Sequence, residues 1–350
     1  MGRRTKTLRE IIGLVKDKAS FSKALLLSNS QSLSLHLAIL RVTTHSTYSP
    51  SDERHLAALL SLGDSSRATA SLLIQYLMDR LHRTGDVTVA LKSLITIHHI
   101  IKRGPFILQD QLSIFPITGG RNYLNLSAFH DGGTAVTLTL SSWVRFYARY
   151  LETLLSTSRT LGFFLGSSSS SSSSMLDKNK QEQRLSSFLN GDLVQEIDSL
   201  VGLIEEICKI PDNLQMTENG LVVLIVGLID SDHLSAVNEC LMRLSELKQR
   251  LVSLSFGESV ELSCILKRIE DCRRKIDTLF PARKTSSENL WVFSGEMKEE
   301  MAGNVEEEEV ARKRIGRREK MAESTRFEKR DKSVRLMFGS GEFSLMVIKT

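Results

Sequence analysis

Residues 87–101 read VTVALKSLITIHHII, and this apolar segment decides the fold class. Its length and its end at Gly104-Pro105 predict a helix. Apolar residues at helical spacing recur on both sides of it, at residues 33–40, 56–60, 72–81 and 134–155. Short turns separate these segments, and strand-like alternation is not seen in them. The sequence therefore predicts an all-α fold in which successive helices stack as a solenoid.

The second half of the chain contains a low-complexity run followed by renewed helical periodicity. Eight consecutive serines at residues 167–174 predict a flexible loop. A leucine repeat over residues 241–251 predicts two long helices packed as an antiparallel pair, with the helical region ending at Pro281. The predicted divisions are an N-terminal helical solenoid over 1–160, a serine-rich loop over 161–184, C-terminal helices over 185–281 and a charged tail over 282–350 that is mostly disordered or partly helical.

The N-terminal end of the chain is strongly basic. Residues 1–23 carry seven basic and two acidic side chains, and this excess equals the formal net charge of the whole chain, +5. Such an end favours an anionic partner, either a membrane surface or a nucleic acid, unless it is only a solvated face. Aromatic side chains are scarce among the basic residues, which argues against a binder of single-stranded nucleic acid. We expect no nucleic-acid partner.

The cysteines and the N-terminus bear on the compartment. Cys208, Cys240, Cys264 and Cys272 form no Cys-x-x-Cys pair and lie in apolar-periodic segments, which predicts buried thiols in a reducing compartment. The basic N-terminus is not followed by the apolar segment of a secretory signal. The longest apolar stretch, residues 221–229, is too short to span a bilayer. We expect a soluble, cytoplasmic protein.

Sequence patterns that would support catalysis are missing. The chain has no nucleophile elbow, Walker motif, dinucleotide-binding fingerprint or zincin motif. His98 and His99 are neighbours on a predicted helix, so their rings point about 100° apart, a poor arrangement for holding one metal ion. They predict a core histidine beside a half-exposed one. We therefore expect no catalytic residue, no metal site and no cofactor, and a protein that is not an enzyme.

Six segments of the first half occur in the order and at the distances that are typical of one family. They are VKDKAS at 15–20 followed by Lys23-Ala24, AILRVTTH at 38–45, ERH at 53–55, LKSLITIHH at 91–99, YLNLSAFHD at 123–131 and WVRFYARYL at 143–151. Together they resemble the ANTH domain of plant-type clathrin assembly proteins. The resemblance is strong over residues 10–155 and looser over 185–280.

This resemblance implies a right-handed helical superhelix of the ANTH and ENTH type. It also implies that the N-terminal helices bind phosphatidylinositol 4,5-bisphosphate on an exposed basic patch. The residues that it assigns to this patch are Lys16, Lys18, Lys23, Arg41, Arg54 and His55. Several cations on one rigid surface suit a multiply charged headgroup, and arginine adds bidentate phosphate geometry.

The lipid motif departs from the family pattern at one position. Arg41 stands for the first lysine of that pattern, and Arg54 and His55 supply its last two positions. Asp52 occupies the middle lysine position, with one extra residue between it and Arg41. A carboxylate there opposes phosphate, which predicts weaker binding or altered lipid specificity. The alternative is that Asp52 caps the following helix and that Arg41 and Arg54 are ordinary surface cations.

The resemblance also implies protein partners. Leu290, Trp291, Val292 and Phe293 resemble a clathrin box, with Ser294 in place of its acidic residue. The alternative is that this apolar cluster packs back on the helical domain. The tail has no Asn-Pro-Phe or Asp-Pro-Phe motif. In this family the later helices can bind SNARE-type cargo, which is a further expectation for this chain.

The function that follows from the resemblance is that of a peripheral membrane adaptor in clathrin-mediated endocytosis and vesicle budding. Such an adaptor acts at clathrin-coated pits of the plasma membrane and on coated vesicles, with the Golgi apparatus as a further location. The alternative is a helical protein–protein scaffold of vesicle traffic whose lipid site is degenerate.

Overall fold

The computed structural model describes residues 2–27, 30–45, 50–116, 122–167, 183–211, 219–285 and 287–303, and helices dominate this part of the chain. Its helices are α1 (Gly2–Leu27), α2 (Ser30–Val42), α3 (Glu53–Gly63), α4 (Arg67–Arg83), α5 (Val87–Arg103), α6 (Phe106–Ser113), α7 (Ala135–Leu161), α8 (Asn190–Ile207), α9 (Gly220–Lys248) and α10 (Phe256–Leu279). The all-α prediction is confirmed. The chain divides into two compact units, 1–295 and 296–350, and residues 296–303 of the second unit are helical.

Capping residues explain where several of these helices begin and end. The carboxylate of Asp86 accepts two backbone N–H groups of the first turn of α5. Thr134 and Ser255 each form a capping box at the start of α7 and α10. α7 ends at Gly162, which has a positive φ of 76°, a conformation that glycine adopts without strain.

α5 is the central helix of the N-terminal half. It packs against α2, α3, α4, α6 and α7, and also against α9 of the C-terminal half. Every residue of α5 except Arg103 is buried, including the polar ones. The segment at 91–99 lies in the middle of this helix. The successive helices therefore stack around an apolar axis, as the solenoid prediction requires.

A buried polar cluster joins α5, α7 and α9. Asp232 of α9 is fully buried, and its carboxylate lies 2.6 Å from Lys102 Nζ and 2.7 Å from His98 Nε2. The Tyr150 hydroxyl donates to the same carboxylate at 2.6 Å, and the Tyr147 hydroxyl lies 2.7 Å from His98 Nδ1. Burial favours a neutral Asp232, but His98 and Lys102 outweigh it and hold the pKa of this carboxyl below its usual value. We refer to these five residues as the Asp232 cluster.

The two adjacent histidines of α5 are both buried. The prediction of a core histidine is confirmed for His98, but the prediction of a half-exposed neighbour is wrong, because His99 is only 9% exposed. Helices surround α5 on all sides, so the helix has no half-exposed face. Burial, together with the nearby Arg103 guanidinium, lowers the pKa of His99 to about 4.

In the C-terminal half, α8 packs against α7, α9 and α10. α9 and α10 are the two long helices of the prediction, but each packs mainly against α8 and not against the other, which corrects the predicted antiparallel pair. Two ion pairs help to fix them on α8, and the one from α9 is buried: Arg243 Nε lies 2.6 Å from Glu196 Oε2. Arg268 of α10 pairs with Glu205 of α8 at 2.8 Å.

α9 is also the one described helix that is long and apolar enough to cross a membrane by length and composition, with a mean hydropathy of 1.7 over its most apolar window. Buried helices in the cores of globular proteins share this length and composition. α9 carries Asp232 and Arg243 in buried ion pairs and packs against α5 and α8. We therefore describe it as a core helix.

Helical structure continues beyond Pro281, where the sequence analysis begins the tail. Residues 287–303 are helical, and Ser287, Leu290, Trp291 and Ser294 are buried on one face of this segment at helical spacing. The predicted tail, mostly disordered or partly helical, therefore includes this helix, whose bounds the sequence did not indicate because its apolar residues are separated by charged ones. The domain limits themselves stay predictions.

The described residues on either side of the serine run lie against one another. The Arg184 guanidinium lies 5.9 Å over the ring of Phe163 and 5.6 Å over the ring of Phe188. On the side of Phe163, the Gln109 side chain donates to Ser167 Oγ at 3.2 Å. The serines after Ser167, and with them the flexible-loop prediction, lie outside the described residues.

Candidate functional site

α1 presents the predicted lysines on its surface and turns an acid inward. Lys16, Lys18 and Lys23 are all exposed. Asp17, which lies between the first two, is 8% exposed and accepts the backbone N–H of His45 at 3.0 Å. The ring Nδ1 of His45 lies 2.6 Å from the same carboxylate. The side chains of the basic residues at 3–9 lie outside the described residues.

The segment that follows α2 is held by two cations from further helices, the half-buried Arg80 and the buried Lys92. Arg80 of α4 donates to the carbonyl oxygen of Thr43 at 2.7 Å, and Lys92 Nζ of α5 donates to Thr44 Oγ1 at 3.0 Å. Burial lowers the pKa of Arg80, and it lowers the pKa of Lys92 to about 8. These two cations therefore anchor the connection between α2 and α3.

The first turn of α3 contains three of the motif positions. Asp52 is the N-cap residue, and its carboxylate accepts the backbone N–H of Arg54 at 2.9 Å. The side chain of Arg54 is 92% exposed, and His55 is exposed as well. Glu53 pairs with Arg103 of α5 at 2.5 Å, and the hydrogen bond from Arg103 lowers the pKa of Glu53. The alternative that Asp52 caps a helix is confirmed.

Arg41 lies in the last turn of α2 and is exposed. We call Arg41, Arg54 and His55 the motif cluster. Because α2 and α3 pack against each other, the three residues belong to adjoining helix ends. Asp52 adds a carboxylate there, 3.7 Å from Arg54 Nε.

A groove of about 1100 Å³ lies between α1, α2 and α4. Two of the six predicted lipid ligands line this groove, Lys16 and Lys23, which lie on different turns of α1. Lys18 and the motif cluster do not line it. Arg83 of α4 lines the groove opposite these lysines, and its side chain is 80% exposed. We call Lys16, Lys23 and Arg83 the groove cluster.

Sequence reasoning missed the part of the groove that α4 contributes. The His36 ring of α2 stacks on the Tyr76 ring of α4 at 4.0 Å between centroids. Tyr76, Arg80 and Arg83 all line the groove and follow each other at four and three residues, which places them on one face of α4. This spacing was the available signal, and it was hidden beside the apolar stripe that buries the opposite face of α4.

Three carboxylates also line the groove, and each has a partner in the protein. Asp86 caps α5, and Asp131 accepts the backbone N–H of Val87 at 3.1 Å. Asp79 lies 3.6 Å from Arg83 on the same helix. The groove is therefore mixed in charge, with its acids engaged in caps and an ion pair.

The outer surface of α1 is apolar beside its lysines. Ile11, Leu14 and Val15 are between 54% and 61% exposed, and Leu26 near the end of the helix is 83% exposed. Several large, exposed apolar side chains on one helix indicate a surface that contacts an apolar partner.

The clathrin-box-like residues lie on the helix beyond Pro281. Leu290 is fully buried and Trp291 is 5% exposed, whereas Val292 is 51% exposed. Lys248 Nζ of α9 lies 5.0 Å over the Phe293 ring. This arrangement corresponds to the alternative prediction, in which the apolar cluster packs back on the helical domain. A clathrin contact through these residues stays a prediction that requires the helix to open.

The fold and this surface define a class of protein: a stack of helices with exposed cations and apolar side chains at its N-terminal end. The model of the ANTH domain matches residues 34–285. The chain belongs to the ANTH domain family, as its sequence segments predict.

Three relatives from Arabidopsis thaliana show how far the similarity extends. "Putative clathrin assembly protein At4g40080" is 48% identical over 358 aligned residues, which cover 98% of this chain and 96% of that protein. "Putative clathrin assembly protein At5g10410" is 32% identical and covers 83% of this chain and 85% of its own length. "Putative clathrin assembly protein At2g01600" is 36% identical over 157 residues, which are 44% of this chain and 27% of that protein.

Proposed function

We propose that this protein is a peripheral membrane adaptor in clathrin-mediated endocytosis and vesicle budding. It binds phosphatidylinositol 4,5-bisphosphate through its N-terminal helices and recruits the clathrin coat. Membership of the ANTH family and the names of its relatives support the class of function. The observation that carries the lipid part is the combination, on α1, of exposed lysines with exposed apolar side chains.

The groove cluster is the first proposed headgroup contact. Lys16 and Lys23 of α1 and Arg83 of α4 line the same groove, so phosphates that enter it meet cations from two helices. Each basic residue near an anionic membrane contributes about 1 kcal/mol, so three of them account for about a hundredfold in affinity. Insertion of the neighbouring Ile11 and Val15 into the acyl region adds apolar burial to this attraction.

The motif cluster and Lys18 are the second proposed contact. Arg41, Arg54 and His55 are exposed and can approach a membrane without rearrangement of the fold. Asp52 reduces the positive potential there, although its carboxylate is already accepting the N–H of Arg54. We therefore expect this cluster to contribute less to binding than the groove cluster.

Co-sedimentation of the full chain with liposomes tests the lipid proposal. Vesicles carry either phosphatidylinositol 4,5-bisphosphate or phosphatidylserine at matched charge. The variants are Lys16→Glu with Lys23→Glu for the groove cluster, and Arg41→Glu with Arg54→Glu for the motif cluster. The matched control is Lys267→Glu with Arg274→Glu, two exposed cations of α10 whose reversal changes the net charge equally.

We expect bisphosphate-selective binding that the groove variant loses, that the motif variant weakens and that the control retains. An equal loss of vesicle binding in all three variants would show that the protein is attracted to the membrane by its net charge and not by a specific lipid site. If the wild-type chain binds neither vesicle, the alternative of a protein–protein scaffold with a degenerate lipid site replaces the lipid proposal.

Clathrin is the proposed coat partner, and SNARE-type cargo on the later helices is a further one. Plasma-membrane coated pits and coated vesicles are the proposed location, with the Golgi apparatus as a second. Pull-down of purified clathrin with the full chain tests the coat contact, using Phe293→Ala and, as a control, Phe256→Ala, which removes a ring that is 87% exposed on α10. Loss of clathrin with Phe293→Ala alone would support the box-like segment. Retention by both variants would exclude that segment as the contact.

A further inference from the structure

Two of the four cysteines meet where α8 and α10 pack together. Cys208 follows the last residue of α8 and is half-buried, and Cys272 lies in α10 at 6% exposure. The Cys208 thiol donates to the backbone carbonyl oxygen of Cys272 at 3.9 Å. The two thiols are therefore neighbours in space although 64 positions separate them in the chain.

We propose that Cys208 and Cys272 form an oxidation-sensitive dithiol, which closes to a disulfide when the protein meets a hydroperoxide. The two thiols differ in the way that such a pair requires, because one is accessible and the other is covered. A peroxide molecule can reach the half-buried Cys208, whereas Cys272 is held behind it. The remaining thiols are arranged differently: Cys240 is fully buried, and Cys264 is exposed on α10.

The local electrostatics support Cys208 as the thiol that reacts first. The neighbouring Cys272 side chain, helped by Lys275 and Lys209, lowers the pKa of Cys208, while burial and Glu205 oppose this effect. The Cys208 side chain and burial raise the pKa of Cys272. Burial raises the pKa of Cys240 to about 12, which leaves that thiol unreactive.

The reaction has two balanced steps. The Cys208 thiolate attacks one oxygen of hydrogen peroxide, the O–O bond breaks, and the products are a sulfenic acid on Cys208 and hydroxide, which becomes water on protonation. The Cys272 sulfur then attacks the Cys208 sulfur, the S–O bond breaks, and the thiol proton of Cys272 leaves with the hydroxyl group as a second water molecule. The peroxide is reduced, and the two thiols are oxidised to one disulfide that joins α8 to α10.

Peptide mapping of the full chain under non-reducing conditions tests this proposal. The protein is treated with hydrogen peroxide, its remaining thiols are blocked with N-ethylmaleimide, and its peptides are identified by mass spectrometry. We expect a Cys208–Cys272 cross-link that dithiothreitol removes, with Cys264 blocked as a free thiol. Cys264→Ser is the matched control and keeps the cross-link at the wild-type yield.

The variant Cys272→Ser separates the proposal from general oxidation. Without its partner, Cys208 should accumulate as a sulfenic acid that dimedone labels, several-fold more than in the wild type. The proposal is overturned if the wild type yields no such cross-link, or if cross-links through Cys264 match it in yield. Mapping of the wild type needs no variant, so a folding defect in Cys272→Ser leaves the test decisive.

Discussion

Replacement of Asp232 by alanine should strongly destabilise the protein. Asp232 is fully buried and receives Lys102 at 2.6 Å, Tyr150 at 2.6 Å and His98 at 2.7 Å. Alanine leaves the buried ammonium of Lys102 without its counter-charge and the hydroxyl of Tyr150 without this acceptor. Because helices α5, α7 and α9 meet at this carboxylate, the loss affects both halves of the first unit.

The expected magnitude follows from the cost of breaking a buried ion pair by removing one partner, about 3–5 kcal/mol. For a domain of this size each kcal/mol lowers Tm by about 2–4 °C, so the melting temperature should fall by about 6–20 °C. The loss should also depend on pH. The folded pKa of Asp232 lies below its unfolded value, so its contribution is present above about pH 4 and is lost as the pH falls through the folded pKa.

Urea unfolding followed by circular dichroism at neutral pH measures this loss. Asp230→Asn is the matched control, since Asp230 lies two positions away on α9 and pairs with Arg283 at 3.2 Å while partly exposed. Partly exposed ion pairs contribute about 0–1 kcal/mol, so the control should change the free energy of unfolding little. A loss at Asp232→Ala no larger than that of the control would refute the argument that this carboxylate compensates buried charge.

Three further predictions concern other parts of the fold. Gly166→Ala should lower the free energy of unfolding in urea by about 1–3 kcal/mol, because Gly166 has a φ of 62° and a Cβ there would overlap Lys102 Nζ. The control is Gly227→Ala on α9, where the new methyl group meets open space. This control should raise the free energy of unfolding by about 0.5–1 kcal/mol. Asp52→Asn keeps the cap of α3 but removes a negative charge. It should therefore raise the affinity for bisphosphate vesicles about fivefold in co-sedimentation, at unchanged stability. Weaker binding would contradict the argument that Asp52 repels phosphate. The pKa of Lys92 is about 8 in the folded protein and about 10.4 when unfolded, so the unfolded chain binds more protons between these values and stability should rise with pH there. Lys92→Met should flatten this rise in urea titrations at pH 8 and pH 10, and an unchanged slope would exclude Lys92 as its source.

The sequence was sufficient for the parts of the fold that local patterns encode. The apolar segment at 87–101 predicted the helix that became α5, but not its nearly complete burial, because Lys92, Thr96 and His99 follow each other at four and three residues and so form a polar face. The sequence allowed two interpretations of Asp52, as a charge that repels phosphate and as a helix cap. A short carboxylate at the start of a helix is compatible with both. The structure confirms the cap and leaves the effect on lipid to experiment.

Features made by distant residues could not be predicted. Asp232 and Lys102 are 130 positions apart, and in the sequence Asp232 is only one of four acids in a largely apolar helix. The contribution of Arg83 to the groove depends in the same way on how α4 packs beside α1 and α2. Such sites depend on which helix faces pack together, and periodicity alone does not specify that pairing.

The contacts at the base of the serine run have a practical consequence for engineering. Arg184 is stacked on Phe163, and Ser167 is fixed by Gln109, so the chain enters and leaves this segment at positions that the helices already determine. Between these positions the serine run predicts a flexible loop. Doubling the length of a loop costs only about 0.6 kcal/mol in closure entropy. An epitope tag or a small fluorescent domain inserted among the serines should therefore report on the full-length protein while leaving both of its termini unmodified.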